Sequence, residues 1–250
     1  MHVLVDDLII NYQRSGRGKV LVLLHGWGDR ANGLRSLSSG LDKHYEVIAL
    51  DLPGFGASDR PKTAWGLTDY AQLVGHFVQK IGIKKVYAYI GHSNGGAIAV
   101  RGLANGSLQS SKLILLASAG IRGEYKGRIK TLRYITKFGK TLTMPLPKSV
   151  KRTLRMQVYK TVGSDMLVAE HLQKTFKKIV SDDVRADAAK LTLPTLLIYG
   201  EKDVQTPIWF GETFRQIMSD ATLVVLPEAN HFLAQEQPAA ILQYMMEFLT

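Results

Sequence analysis

Two kinds of hydrophobic run alternate along this chain. Residues 20–24, 45–50, 86–90, 112–117, 195–199 and 222–226 are short, nearly continuous apolar stretches, with the length and pattern of strands buried on both faces. Residues 31–41, 68–81, 208–218 and 238–249, and the run beginning at Asn94, carry apolar positions at helical spacing, with Thr68 the expected N-cap of its helix. Residues 3–5 and 8–13 read as a starting hairpin. Such alternation predicts an α/β fold, a mostly parallel central sheet flanked by helices. It stops at Gly120. From Ile121 to Leu191 the pattern is helical, with apolar positions at Ile129, Leu132, Ile135 and Phe138, then steps of four through Val150, Leu154, Val158 and Val162 and through Val168, Leu172, Phe176 and Val180. Met144-Pro145-Leu146-Pro147 separates the first of these segments from the second. The expected organisation is a core made of residues 1–120 and 192–250, with residues 121–191 inserted as a helical cap.

Composition changes this picture in one respect, which is charge. The net charge of the 250 residues is +11. Between Ile121 and Lys160 stand twelve Lys or Arg and a single acid, Glu124, so that segment alone carries +11; the other 20 cations and 20 carboxylates cancel. The protein is a neutral body with one basic segment. Cysteine is absent, which excludes disulfides, thiolate nucleophiles and cysteine metal sites. The first residues lack the basic start and apolar run of a secretory leader, and no apolar run approaches the ~18 residues of a membrane-spanning helix, so a cytoplasmic protein is expected.

The chemistry centres on Gly91-His92-Ser93-Asn94-Gly95, a G-x-S-x-G pattern set between an expected strand and an expected helix. This is the nucleophile elbow, a strained corner that holds a serine off the sheet edge, where bulkier residues at the two glycines would collide. A serine hydroxyl needs a base to take its proton and an acid to orient that base. In elbow enzymes these follow in the order serine, acid, histidine. Asp203 stands just past the strand at 195–199, and His231 just past the strand at 222–226. Both loops leave the sheet edge on which the elbow lies. Glu201 and Glu228 are rival acids, but Glu201 lies nearer the strand end and Glu228 too close to His231. For the oxyanion of acyl transfer, the backbone N–H groups of Asn94 and of Trp27, in His25-Gly26-Trp27-Gly28, are the expected donors. Trp27 and Phe232 are expected to line the substrate pocket. His25 is expected to hold loops together, and Asp51 has no assigned catalytic role.

Together, His25-Gly26-Trp27-Gly28, Asp51-Leu52-Pro53-Gly54-Phe55-Gly56-Ala57-Ser58, Gly91-His92-Ser93-Asn94-Gly95-Gly96, Gly200-Glu201-Lys202-Asp203 and Asn230-His231-Phe232 resemble, in order, the motifs of the α/β-hydrolase superfamily. The resemblance covers nearly the whole chain. It implies a serine hydrolase that cleaves small-molecule carboxylic esters through an acyl-enzyme, with the triad Ser93, Asp203 and His231, and with no metal or organic cofactor. C–C bond hydrolysis, perhydrolysis and non-enzymatic ligand reception occur on the same fold and stay open as alternatives. A serine at the elbow sets the chain apart from the haloalkane dehalogenases and epoxide hydrolases of the fold, which use aspartate. Asn94 departs from the family pattern, in which an apolar or longer side chain often follows the serine. The motifs around Trp27 and Asp51 are similar to those of the pimeloyl-carrier-protein methyl ester esterases. The basic segment therefore has three readings: a solvated helix face, a surface for an anionic substrate or acidic carrier protein, or a contact with anionic lipid. No recognition module for nucleic acid accompanies the charge.

Overall fold

In the computed structural model, which describes residues 1–122 and 169–250, β1 (His2–Val5) and β2 (Leu8–Ser15) form an antiparallel hairpin with His2 opposite Asn11. The other strands are β3 (Val20–Leu24), β4 (Glu46–Leu50), β5 (Val86–His92), β6 (Ser110–Leu116), β7 (Thr195–Gly200) and β8 (Ala221–Leu226). They complete an eight-stranded sheet in the order β1-β2-β4-β3-β5-β6-β7-β8. β2 runs antiparallel to β4, and every pairing from β4 to β8 is parallel. The expected mostly parallel sheet is present, and all the parallel strands open their C-terminal ends onto one edge.

The helices are α1 (Arg35–Leu41, led in by a 3-10 turn at Ala31–Leu34), α2 (Leu67–Lys80), α3 (Asn94–Asn105), α4 (Gln173–Ser181), α5 (Arg185–Ala188), α6 (Ile208–Ile217), α7 (Leu233–Glu236) and α8 (Pro238–Leu249). All five residues of β3 are buried, because both sheet faces are covered. Leu21 and Leu23 join the layer holding Leu37, Leu41, Ile241 and Met245 of α1 and α8. Val22 and Leu24 join the opposite layer, with Tyr70, Val74 and Phe77 of α2 and Ile98 of α3. The period-2 alternation of the strand thus divides one apolar run between two cores.

Two expectations are corrected. Helix α2 begins at Leu67 and its cap is Gly66, not Thr68. Asp69, three residues on, accepts the Gly66 N–H at 2.7 Å, so the carboxylate closes the first turn and the Thr68 hydroxyl accepts from Arg101 Nη1 at 3.3 Å instead. In the insertion, the expected segments at Ile129–Phe138 and Val150–Val162, and Val168, lie outside the described residues. The third segment does form α4, but its buried face runs through Leu172, Thr175 and Ile179, while Val180 is 53% exposed. Steps of four drift around a helix of 3.6 residues per turn. Thr175 takes the inward place because its hydroxyl accepts the Trp65 N–H at 3.1 Å.

The described ends of the insertion are tied together. Val184 donates its N–H to the Gly120 carbonyl at 2.8 Å, and the Arg122 N–H reaches Asp183 at 3.2 Å. Arg101 of α3 fastens this stem to the core, with Nε 2.6 Å from Asp187 and Nη2 3.0 Å from Asp182.

Candidate active site

Strand β5 enters α3 through Ser93, whose backbone angles of φ 50° and ψ −116° lie where residues with a Cβ are strained. The strain is held by main-chain bonds: the Ser93 N–H donates to Leu116, and its carbonyl accepts from Gly96 and Ala119. The two motif glycines are needed for contact rather than for turn geometry. A Cβ on Gly91 would stand 2.5 Å from the Gly96 main chain, and one on Gly95 would run into the carbonyls of Leu24 and His25. The loop after β3 backs onto the same corner, since a Cβ on Gly26 would lie 3.1 Å from the Ser93 Cβ.

His231 arrives on the loop between β8 and α7, and Asp203 on the loop after β7. The Ser93 Oγ is 3.0 Å from His231 Nε2, and His231 Nδ1–H donates to Asp203 Oδ2 at 2.8 Å. Bonding of Nδ1 to a carboxylate places the proton there and leaves the Nε2 lone pair for the serine hydroxyl. Burial by itself raises the Asp203 pKa, but the bonds from His231 and Thr206 outweigh it and hold the carboxyl below its usual range. Its Oδ1 accepts the N–H groups of Gln205 and Thr206 at 2.8 and 2.9 Å, and Oδ2 also accepts the Thr206 hydroxyl at 2.7 Å. The rival acids are turned elsewhere: Glu201 accepts the Glu228 N–H at 3.0 Å, and Glu228 pairs with Lys202 at 2.5 Å.

Among the described residues the backbone N–H groups of Trp27 and Asn94 have no acceptor, consistent with the open first turn of a helix and an unpaired loop. His25 holds the donor loop. Its Nδ1–H donates to the Gly26 carbonyl at 2.8 Å, and its Nε2 accepts the Leu52 N–H at 2.9 Å. Burial lowers its pKa, which keeps it neutral in that tautomer. Asp51 gathers the neighbouring loop by accepting the N–H groups of Ala31 and Ala57 at 2.7 and 2.8 Å. The Trp27 ring lies edge-on to Phe55 at 4.9 Å and against Phe176 of α4 at 5.1 Å. Phe232 packs edge-on to His231 at 5.7 Å and stays 52% exposed.

Two participants are absent from the sequence reading. Thr206 bridges three groups, because its hydroxyl also lies 3.0 Å from the Ala117 carbonyl and 3.1 Å from His231 Nδ1. Its only trace in the sequence is the Asp203-x-x-Thr206-Pro207 turn chemistry ahead of a helix. His92 is buried and donates Nε2–H to the His231 carbonyl at 2.9 Å, bracing the loop that carries the imidazole. Among the described residues no cluster of three His, Asp or Glu is placed to hold a metal ion.

The sheet order, the strained serine between strand and helix, and the relay beside it agree with a further finding: the profile of the alpha/beta hydrolase family matches residues 21–243. The chain belongs to the alpha/beta hydrolase family. Within that family it is 28% identical, over 88% of its length and 89% of the relative's, to a pimeloyl-[acyl-carrier protein] methyl ester esterase of Aliivibrio fischeri. It is 27% identical, over 96% of its length and 91% of the relative's, to a 2-hydroxy-6-oxononadienedioate/2-hydroxy-6-oxononatrienedioate hydrolase of a Pseudomonas species. Among solved structures, a bacterial membrane phospholipase A superposes on this hydrolase with a TM-score of 0.78 at 26% identity, covering all of this chain and 84% of that one. No helix among the described residues is long and apolar enough to cross a membrane.

Proposed function

We propose that the protein is a serine hydrolase that cleaves carboxylic esters through an acyl-enzyme. The observation that carries this reading is the hydrogen-bonded relay from Ser93 Oγ through His231 to Asp203, at 3.0 and 2.8 Å, beside two N–H groups that have no acceptor among the described residues. Ser93 Oγ attacks the acyl carbonyl while His231 Nε2 takes its proton. The carbonyl oxygen, now negative, is received by the N–H groups of Trp27 and Asn94. His231 then gives the proton to the departing alkoxide. A water, deprotonated by the same imidazole, releases the acid and restores the serine. Asp203 stays ionised throughout, and it orients His231 and stabilises its charged form. The Trp27, Phe55 and Phe176 rings supply apolar surface for the acyl chain, and Phe232 flanks the base.

A second reading, C–C bond hydrolysis by the same residues, is supported by the similarity to the Pseudomonas hydrolase. Both are tested by assaying p-nitrophenyl esters from acetyl to dodecanoyl beside a vinylogous diketone, using the wild type and Ser93→Ala. Ester turnover that falls by at least ~10³-fold in Ser93→Ala is expected. Diketone cleavage without ester cleavage would transfer the assignment to C–C chemistry, and ester turnover retained by Ser93→Ala would overturn the nucleophile.

A further inference from the structure

Among the described residues, the buried side-chain nitrogen and oxygen atoms that lack a hydrogen-bond partner are Trp27 Nε1, His92 Nδ1, and both Nδ2 and Oδ1 of Asn94. All four belong to the two neighbours of Ser93 in the chain and to the loop that backs onto it. Asn94 is the most telling. It is only 3% exposed, and an amide so buried with neither end bonded is costly, so folded proteins rarely keep one without a reason. An apolar residue of the same shape would serve the core better.

Its position on α3 shows where the amide lies. Asn94 shares a helix face with Ala97 and Arg101, at spacings of three and seven residues. Arg101 on that face holds Asp182 and Asp187 of the insertion stem, and Ala97 lies against Gly120, where the stem departs. Asn94 is therefore on the stem side of the helix, beside the serine and above the sheet edge. Trp27, in the loop that backs onto Ser93, lies against Phe176 of α4, the helix that leads into that stem.

We infer that the acyl group of the substrate carries a neutral oxygen, a hydroxyl or oxo group, on the first or second carbon beyond the scissile carbonyl, and that the Asn94 amide and the Trp27 indole N–H bind it. This rests on the ester hydrolase reading above and narrows its substrate class. The side-chain amide of a residue stands about 3–5 Å from its own backbone N–H, by bond lengths alone. A carbonyl oxygen on the Asn94 N–H thus brings a substituent one or two carbons away within reach of the amide. The amide both donates and accepts, which suits a hydroxyl, and the indole adds a donor for an oxo group. Both groups are uncharged, and Asp203 already supplies negative charge to the site, so a neutral oxygen fits better than a carboxylate.

The test compares ethyl butanoate with ethyl 2-hydroxybutanoate, 3-hydroxybutanoate and 3-oxobutanoate, in wild type and Asn94→Leu. Leucine keeps the branching of asparagine and the backbone N–H. The quantity read is the ratio of kcat/KM for each oxygenated ester to that for the plain one. Comparing this ratio between the two proteins cancels the intrinsic reactivity of the esters and any general loss of activity. At least one ratio is expected to fall by ~10-fold or more in Asn94→Leu. Tm is expected to hold or to rise by roughly 2–4 °C, as an unpaired amide gives way to an apolar group. Unchanged ratios for all three esters would overturn the inference. So would a fall in Tm, which would mean that the amide makes a structural bond. If wild type hydrolyses none of the four esters and none of the p-nitrophenyl series, the hydrolase reading fails and this inference fails with it; hydrolysis without discrimination sinks the inference alone.

Discussion

Of the residues touching Ser93, His92 has the least freedom to change charge. Burial, with His231 beside it, pushes its pKa down to about 4, because an imidazolium there would be stripped of water next to another imidazole. In the unfolded chain the same group titrates near ~6.5. Between these values the unfolded state binds the proton and the folded state does not, so the stability contributed is complete above the unfolded value and is lost as pH falls through the window. The gap corresponds to roughly 3 kcal/mol, an order-of-magnitude figure. The prediction is a stability to urea that falls steadily from pH 7 to pH 4, and a shallower fall in His92→Gln, which retains a donor for the His231 carbonyl. An identical slope in the two proteins would show that His92 titrates freely when folded. At this scale the sequence is legible where chemistry demands a residue type at a strand end, which is why Ser93, Asp203 and His231 stand out. It is silent on His92, whose partner lies 139 residues away, and it shows Thr206 only as a turn residue after Asp203, since the Ala117 carbonyl that its hydroxyl also meets lies 89 residues away.

The β5–α3 corner is set by how closely a strand and a helix cross, and two glycines separate that contact from simple backbone freedom. Gly91 takes no left-handed angle, yet a Cβ on it would meet the Gly96 main chain, which cannot give way without moving Ser93. Gly106, which ends α3, has φ +80° and open space around it, so alanine there meets strain but no neighbour. Gly91→Ala is therefore expected to lower kcat/KM by ~100-fold or more in the folded fraction, by displacing the serine. Gly106→Ala should cost about 1 kcal/mol of stability and leave kcat/KM within about twofold of wild type. Urea titration beside ester kinetics checks both, and an active Gly91→Ala would mean that the crossing is looser than drawn. Other elements follow the same division between local and tertiary control. The bounds of α8 coincide with the span expected from its Pro238 start and apolar pattern, because local signals decide them. The start of α2 and the buried face of α4 depart from hydrophobic periodicity, the first through a local bond from Gly66 to Asp69 and the second through a tertiary one from Trp65 to the Thr175 hydroxyl.

Charge is the property that belongs to the whole molecule. The sheet, its covering helices and the site account for a body whose charges cancel, and the entire +11 falls between Ile121 and Lys160. Past that segment the chain is anchored to α3, where Arg101 holds Asp182 and Asp187. Of the readings of that charge, a surface for an acidic carrier protein would favour a substrate delivered on something negative. The two simpler possibilities, a solvated face and a docking surface, differ in their response to salt. Screening at ~0.1 M salt confines such attraction to about 10 Å, which weakens encounter with an extended acidic partner and hardly touches a small neutral ester. With one acyl group presented both as its free ethyl ester and on an acidic carrier protein, kcat/KM for the carrier-borne ester is expected to fall by ~10-fold or more between 20 and 300 mM NaCl, while that for the free ester stays within about twofold. Replacing four of the cations, Lys126, Lys130, Lys137 and Lys140, with glutamine should flatten the carrier curve and leave the free-ester curve in place. Parallel salt curves for the two substrates would instead make the basic segment a solvated face, and would leave recognition to the side chains around Ser93.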